Sequence, residues 1–306
     1  MKKKIAMVAL LALHMSCNNQ SPNFSSSKNK IPVVNIYEKD DYRFIETNGI
    51  PNHPIGQFPS DFCPFAVGEK KFTYKVPLKP TEAQEKTAAG EYMFGIALNG
   101  VMFDPAGPFW NQNPQSGWEF HPSADTLKVF FGVDFNNAHT QPLGPNSTDG
   151  LYHYHALPTS LIDSLQRVKN GQKMILLGFA ADGYPIYNDY GLIDPNDLQS
   201  GFKKMKSSYQ LKAGKRKSGE PIGNYNGVFV QDYYFNKGMG DLDEYNGRFG
   251  KTPEYPNGTY YYCITSEFPH MPLKLKGIPD SSFKHEGPGN SMAEVPPALK
   301  NWGKTP

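Results

Sequence analysis

Residues 150–156 read Gly150-Leu151-Tyr152-His153-Tyr154-His155-Ala156, and the alternation inside this run decides how the chain is read. Successive side chains of a β-strand point to opposite faces, so His153 and His155 share one face and Tyr152 and Tyr154 the other. Two imidazoles so spaced, with Cα atoms roughly 6.5 Å apart, can converge on one ion held about 2 Å from each nitrogen. The run therefore predicts a strand, and on it a transition-metal site. It names no reaction.

Outward from this strand, turn signals are dense. Asn-Gly begins at 48, 99, 170, 226, 246 and 257, and Asp-Gly at 149 and 182; such dipeptides suit tight hairpin turns. The spacing predicts hairpins pairing 92–98 with 101–104 and 174–180 with 184–187, and a late strand over 259–265. One helix is expected from Ser160, with Ser160 as cap, Asp163 at the box position, Leu161, Leu165 and Val168 on one face, and Gly171 as terminator. The fold class that follows is mainly β: a single antiparallel sandwich or barrel-like domain with one or two short helices.

Composition agrees. Among 306 residues, aromatics make up 13%, with 29 Gly and 27 Pro, a profile of many short strands rather than of helix bundles. Net charge is only +2, which gives no general reason to expect nucleic acid as a partner.

The first seventeen residues read as a targeting signal. Lys2, Lys3 and Lys4 form a basic start, and Ile5 to Leu13 an apolar stretch too short to span a bilayer. Ser16-Cys17 then resembles the end of a bacterial lipoprotein signal, with Cys17 lipidated and inserted in a membrane and His14 a departure from the usual aliphatic residue. Ordinary secretion is the alternative, and both imply export to the cell envelope, at the outer membrane or in the periplasm. Residues 18–62 are expected to be a tether and N-terminal extension, 63–284 a β-rich domain, and 285–306 a Pro/Gly-rich tail lying on the surface. Cys63 and Cys263 remain as an even pair that can form one disulfide, or two small buried hydrophobes.

A two-histidine pair needs a third donor. His139 is the best candidate, because the Pro/Gly-rich loop 140–150 can fold it back over the face carrying His153 and His155; His121 and His270 are held in reserve. Neutral imidazoles suit Cu or Zn as the cofactor. Asp149 could orient an imidazole, although its ordinary role is to open the Asp-Gly turn. Asp182 could accept a proton, although a turn aspartate is the plainer reading. Asp241, Asp243 and Glu244 suggest a calcium loop, but Gly247 falls one place late, so they are expected to organise a loop. The basic run from Lys203 to Lys217 reads as a solvated loop. Tyr233, Tyr234 and Tyr260 to Tyr262 could form a sugar-stacking platform or fill a β core.

Several of these stretches together carry a resemblance. Gly150 to His155, followed by Leu176-Leu-Gly-Phe-Ala-Ala-Asp-Gly-Tyr-Pro-Ile-Tyr187 and then Gly240-Asp-Leu-Asp-Glu-Tyr-Asn-Gly-Arg-Phe249, resembles the YHYH-domain family of bacterial exported proteins over about residues 70–284. The resemblance implies export and fixes no reaction. Three functional expectations stand side by side. The first is an envelope protein with a metal on His139, His153 and His155. The second is a non-enzymatic glycan-binding module, and the third a structural protein whose histidines only pack; a small-molecule ligand suits either of the first two.

Overall fold

The strand predicted from the histidine run forms as β9 (Asp149–Tyr154) and organises the molecule. The structure is a computed structural model that describes residues 30–88, 90–144, 146–285 and 295–304. The targeting signal, Cys17 and the first part of the tether lie outside the described residues.

In chain order the strands are β1 (Val34–Lys39), β2 (Tyr42–Thr47), β3 (Ala66–Val67), β4 (Phe72–Pro77), β5 (Glu82–Ala88), β6 (Gly95–Ala97), β7 (Met102–Phe103), β8 (Ala138–Pro142), β9, β10 (Leu176–Ala180), β11 (Pro185–Tyr187), β12 (Tyr190–Leu192), β13 (Phe202–Lys204), β14 (Tyr209–Leu211), β15 (Tyr233–Phe235), β16 (Gly247–Gly250), β17 (Thr259–Cys263) and β18 (Lys274–Gly277). One open sheet runs β16-β17-β11-β10-β6-β7-β9-β3, with β8 laid against β9. A second sheet, β1-β2-β4, and three two-stranded ribbons complete the β structure, which does not close into a barrel.

The expected hairpins are present. β6 pairs antiparallel with β7 around Asn99-Gly100, and β10 with β11 around Asp182-Gly183. β10 is buried along its whole length, so its apolar run does not alternate, as suits a strand covered on both faces. β4 does alternate: Tyr74 and Val76 face the core while Thr73 and Lys75 face water. Parallel pairings β3–β9, β7–β9 and β11–β17 then knit distant segments together. Gly150 is required where β8, β9 and the approach to β3 close up, because a Cβ there would sit 2.8 Å from Gln141 O, Phe65 Cβ and Thr140 Cβ.

The single α-helix among the described residues, α1 (Thr159–Val168), starts two residues earlier than a Ser160 cap implies, with Pro158 at the cap position. Ser160 does not cap it. The Ser160 amide instead donates to Asn136 Oδ1 at 2.9 Å, so a neighbouring loop supplies the acceptor that local sequence was expected to provide. Gly171, at φ +79°, ends the segment as expected.

Two regions expected at the margins are built into the fold. Within the N-terminal extension, β1 and β2 form a hairpin that pairs with β4, and Ile45, Ile50 and Ile55 join the main core. Near the C-terminus Val295 and Leu299 are buried in a second apolar cluster with Phe120, Leu127 and Phe229. Pro297, Ala298, Lys300, Asn301 and Lys304 lie exposed as a surface tail would have them, and the two aliphatic side chains beside them are drawn in by apolar partners.

The cysteine bridge does not form. Cys63 and Cys263 are both free and buried. Cys63 Sγ lies 3.0 Å from Thr140 Oγ1, beside β8, whereas Cys263 closes β17 in the main core.

Candidate metal centre

Two antiparallel strands bring three imidazoles together. β8 pairs with β9 so that His139 stands directly opposite His153, and Gln141 opposite Leu151. The loop expected to fold His139 back does so as a hairpin. Cross-strand partners share a face, so His139, His153 and His155 converge on the same side. His155 Nε2 lies 2.9 Å from His153 Nε2 and 3.0 Å from His139 Nε2. Among the described residues this is the one cluster of three or more His, Cys, Asp or Glu whose ligand atoms lie close enough to hold a metal ion, all within 4.8 Å of one another.

Hydrogen bonds fix which nitrogen of two of the rings faces inward. His139 Nδ1 donates to Phe131 O at 2.6 Å and His153 Nδ1 to Leu151 O at 3.1 Å. With their protons on Nδ1, both rings present Nε2 as a lone pair. His155 has one Nε2 and at most one proton to place between two acceptors, and its buried Nδ1 has no partner. Protons therefore satisfy this arrangement poorly, and a cation at the centre satisfies it well.

Burial keeps the rings neutral. His153 and His155 are 1% and 3% exposed, and His139 is partly exposed. Desolvation pushes the His139 pKa down to about 4. His153 and His155 are held well below the usual histidine range by burial first and by neighbouring imidazoles second. Neutral imidazole is the form that ligates.

The opposite face of β9 is a scaffold. Tyr152 donates to Asp134 Oδ2 at 2.7 Å, and the same carboxylate accepts from the amides of Gly56 and Asn136. Tyr154 accepts from Asn99 Nδ2 at 3.0 Å and lies 2.5 Å from His53 Nε2. Asp134 thereby shapes the turn that delivers His139. Sequence reading missed it, although Asp134-Phe-Asn-Asn137 carries the signature of an aspartate bonding to its own backbone two residues on.

The remaining candidates fall elsewhere. His121 and His270 stack on each other with ring centroids 5.2 Å apart and do not join the three. His121 is fully buried with neither ring nitrogen bonded, and burial pushes its pKa down to about 3. Asp149 pairs with Lys30 at 2.9 Å and orients no imidazole. Asp182 accepts from Tyr262, Gly277 and Tyr184, tying a turn. Asp241 pairs with Lys203 and Asp243 accepts from Tyr260, so the acidic cluster organises its loop as expected. The basic run divides: Lys204 meets Asp189 and Arg216 grips Asp232 in a buried two-bond pair, while Lys206, Lys215 and Lys217 are exposed as a solvated loop would have them. Tyr260, Tyr261 and Tyr262 are buried and offer a sugar no open face, whereas Tyr233 stacks on Phe268 and Tyr234 alone of the five is exposed. A π-surface has to be exposed to stack, and β17 is covered on both sides.

Two groups absent from the sequence reading flank the histidines. Asp104 follows β7, donates its amide to Tyr154 O, and is 1% exposed; burial pushes its pKa up to about 7. His285 Nε2 lies 3.8 Å from Asp104 Oδ2, with its own pKa lowered by burial. Positions 104 and 285 meet only through the tertiary fold, so no local pattern announces them.

A family sequence model described as YHYH protein matches residues 73–277. No curated protein and no solved structure matches the chain. No described helix is long and apolar enough to cross a membrane.

Proposed function

The chain belongs to the YHYH protein family, and we propose that it is an exported protein that binds one copper or zinc ion on His139, His153 and His155. The observation that carries this reading is the convergence of three neutral Nε2 atoms at 2.9 and 3.0 Å, two of them fixed as lone pairs by Nδ1–H bonds to backbone carbonyls. Imidazole-only donors suit Cu(II) and Zn(II), and copper binds the same ligands more tightly. When bound with an open position, such an ion polarises a water or an oxygen ligand.

The chain's own residues do the positioning. Phe131 O and Leu151 O orient two of the rings, Asp134 holds the turn before His139, and burial keeps all three imidazoles unprotonated at neutral pH. Export rests on the basic and apolar start of the sequence, and anchoring on Cys17.

The test is metal analysis of protein purified without a polyhistidine tag. One equivalent of copper or zinc per chain is expected after loading and desalting. His153→Ala and His155→Ala should each lose about 100-fold or more in affinity, beyond the 10–100-fold typical of removing only a supporting partner. Wild-type protein that retains no metal, or variants that retain it fully, would sink the reading.

A further inference from the structure

Two buried polar groups stand on the metal face without belonging to the three histidines. Met102 of β7 is the cross-strand partner of His153 and shares its face. Asp104 follows two residues on, so alternation turns its side chain to that face beside His155, and its amide donates to Tyr154 O at 2.9 Å. The segment before β6 brings in the second group. Backbone hydrogen bonds from Met93 to Phe283 and from His285 to Glu91 seat the His285 ring against Asp104. His285 Nε2 lies 3.8 Å from Asp104 Oδ2, and the two side chains are 10% and 2% exposed.

Both groups lack what burial demands. His285 Nε2 has no hydrogen-bond partner. The Asp104 carboxylate accepts from the Ala106 amide at Oδ1, and among the described residues no bond reaches Oδ2. The charge that acts on it is another carboxylate, Glu119, which accepts from the Gly107 amide. No lysine or arginine among the described residues pairs with either acid, and burial pushes both carboxyls up to about 7. Two buried acids and a bare imidazole nitrogen leave this corner short of a cation. A gap of 3.8 Å is too long for a hydrogen bond, yet it suits an oxygen and a nitrogen that each lie about 2 Å from one shared ion.

We propose that Asp104 Oδ2 and His285 Nε2 hold a second transition-metal ion, copper or zinc, beside the one on His139, His153 and His155. An imidazole with a carboxylate suits either ion, and Glu119 adds negative charge without completing a three-donor set. Water fills the remaining positions; His285 also lines a hollow of about 150 Å³ with room for several molecules. The segments carrying Asp104 and His155 run roughly 4.8 Å apart, which makes the two ions neighbours. With one imidazole fewer and a charged neighbour, the second ion binds more weakly by about a thousandfold or more. Metal that fills the three histidines therefore leaves this pair empty, and desalting strips it. The inference rests on the metal reading for the first ion; the donors of the second are its own.

The test is equilibrium dialysis of the chelated, tag-free chain against buffered free Cu(II), with bound copper counted per chain and the electron paramagnetic resonance spectrum recorded. Two ions per chain are expected, the second entering only at higher free copper, where the isolated Cu(II) spectrum broadens through coupling between neighbouring ions. Asp104→Asn and His285→Ala should each keep the first ion, its uncoupled spectrum and a cooperative thermal transition, and lose the second ion. His153→Ala should keep only the weaker one. A single ion in the wild type, indifferent to Asp104→Asn and His285→Ala, would overturn the inference and leave the three histidines standing as the metal site. Two ions that survive both substitutions, or that stay uncoupled when both are bound, would overturn it as well. A single ion lost in Asp104→Asn but kept in His153→Ala would uphold this pair and refute the three-histidine reading instead.

Discussion

β9 and β17 lie in one sheet and both carry polar-tipped rings on consecutive alternating positions, yet they end differently. On β17 every phenol hydroxyl is closed within the chain: Tyr260 donates to Asp243, Arg248 donates to the Tyr261 oxygen, and Tyr262 donates to Asp182. On β9 the two tyrosines are closed in the same manner, but the inward nitrogens of His153 and His155 meet only each other and His139. A buried polar tip with an internal partner builds the fold. Buried acceptors that meet only one another call for something from outside.

The largest effect that sharpens this contrast is stabilisation by metal. Copper or zinc at a thousandfold excess over its dissociation constant should raise the unfolding free energy by roughly 4 kcal/mol, read as a shift of the urea transition. His153→Ala should abolish the shift, whereas Tyr262→Phe should leave it intact. A shift that survives His153→Ala would mean that the ion binds elsewhere, and the distinction between the two strands would fail.

Next in size is the loss on β17 itself. Tyr262 donates to Asp182 Oδ2 at 2.5 Å and accepts from the Lys276 amide at 2.6 Å. Tyr262→Phe should therefore cost about 1–3 kcal/mol, as expected when buried groups lose a partner. The cost should depend on pH. Burial raises the Asp182 pKa to about 6 while the Tyr262 hydroxyl lowers it. A carboxyl raised on folding binds its proton more tightly in the native state, so its contribution is complete below about pH 4 and is lost as pH rises through about 6. Removing the hydroxyl raises that pKa further. The penalty of Tyr262→Phe should be larger at pH 7 than at pH 4, measured by urea unfolding at both; an equal penalty would show that Asp182 is not the group the phenol serves.

The two strands also differ in how readily their roles can be read. On β9 the alternation of His153 and His155, and the choice of His139 from its loop, follow from the period of two and from proximity in sequence. Both hairpins and the helix follow from Asn-Gly, Asp-Gly and apolar spacing. What local pattern could not carry is long-range pairing. β7 and β3 join β9 in parallel, and no turn joins their ends to it, so the meeting of Asp104 with His285 has no sequence signal. The helix cap likewise comes from Asn136 rather than Ser160. On β17 the run Tyr260-Tyr261-Tyr262 is equally consistent with an exposed platform and a core. Only the partners Asp243, Arg248 and Asp182, contributed by other segments, decide between the two.

The smallest predicted effect separates Asp134 from Asp149, two carboxylates near the same hairpin. Asp149 Oδ2 meets Lys30 Nζ at 2.9 Å, with both side chains partly exposed; such a pair contributes about 1 kcal/mol at most. It has no hydrogen bond to any of the three imidazoles among those found for it. Asp149→Asn should therefore lower stability only slightly and leave metal affinity within about twofold, well under the change seen when a supporting partner is removed. Competition titration against a chromogenic chelator measures this directly. A tenfold loss would mean that the turn carboxylate orients an imidazole after all, and that orientation of the rings extends beyond the backbone carbonyls of Phe131 and Leu151.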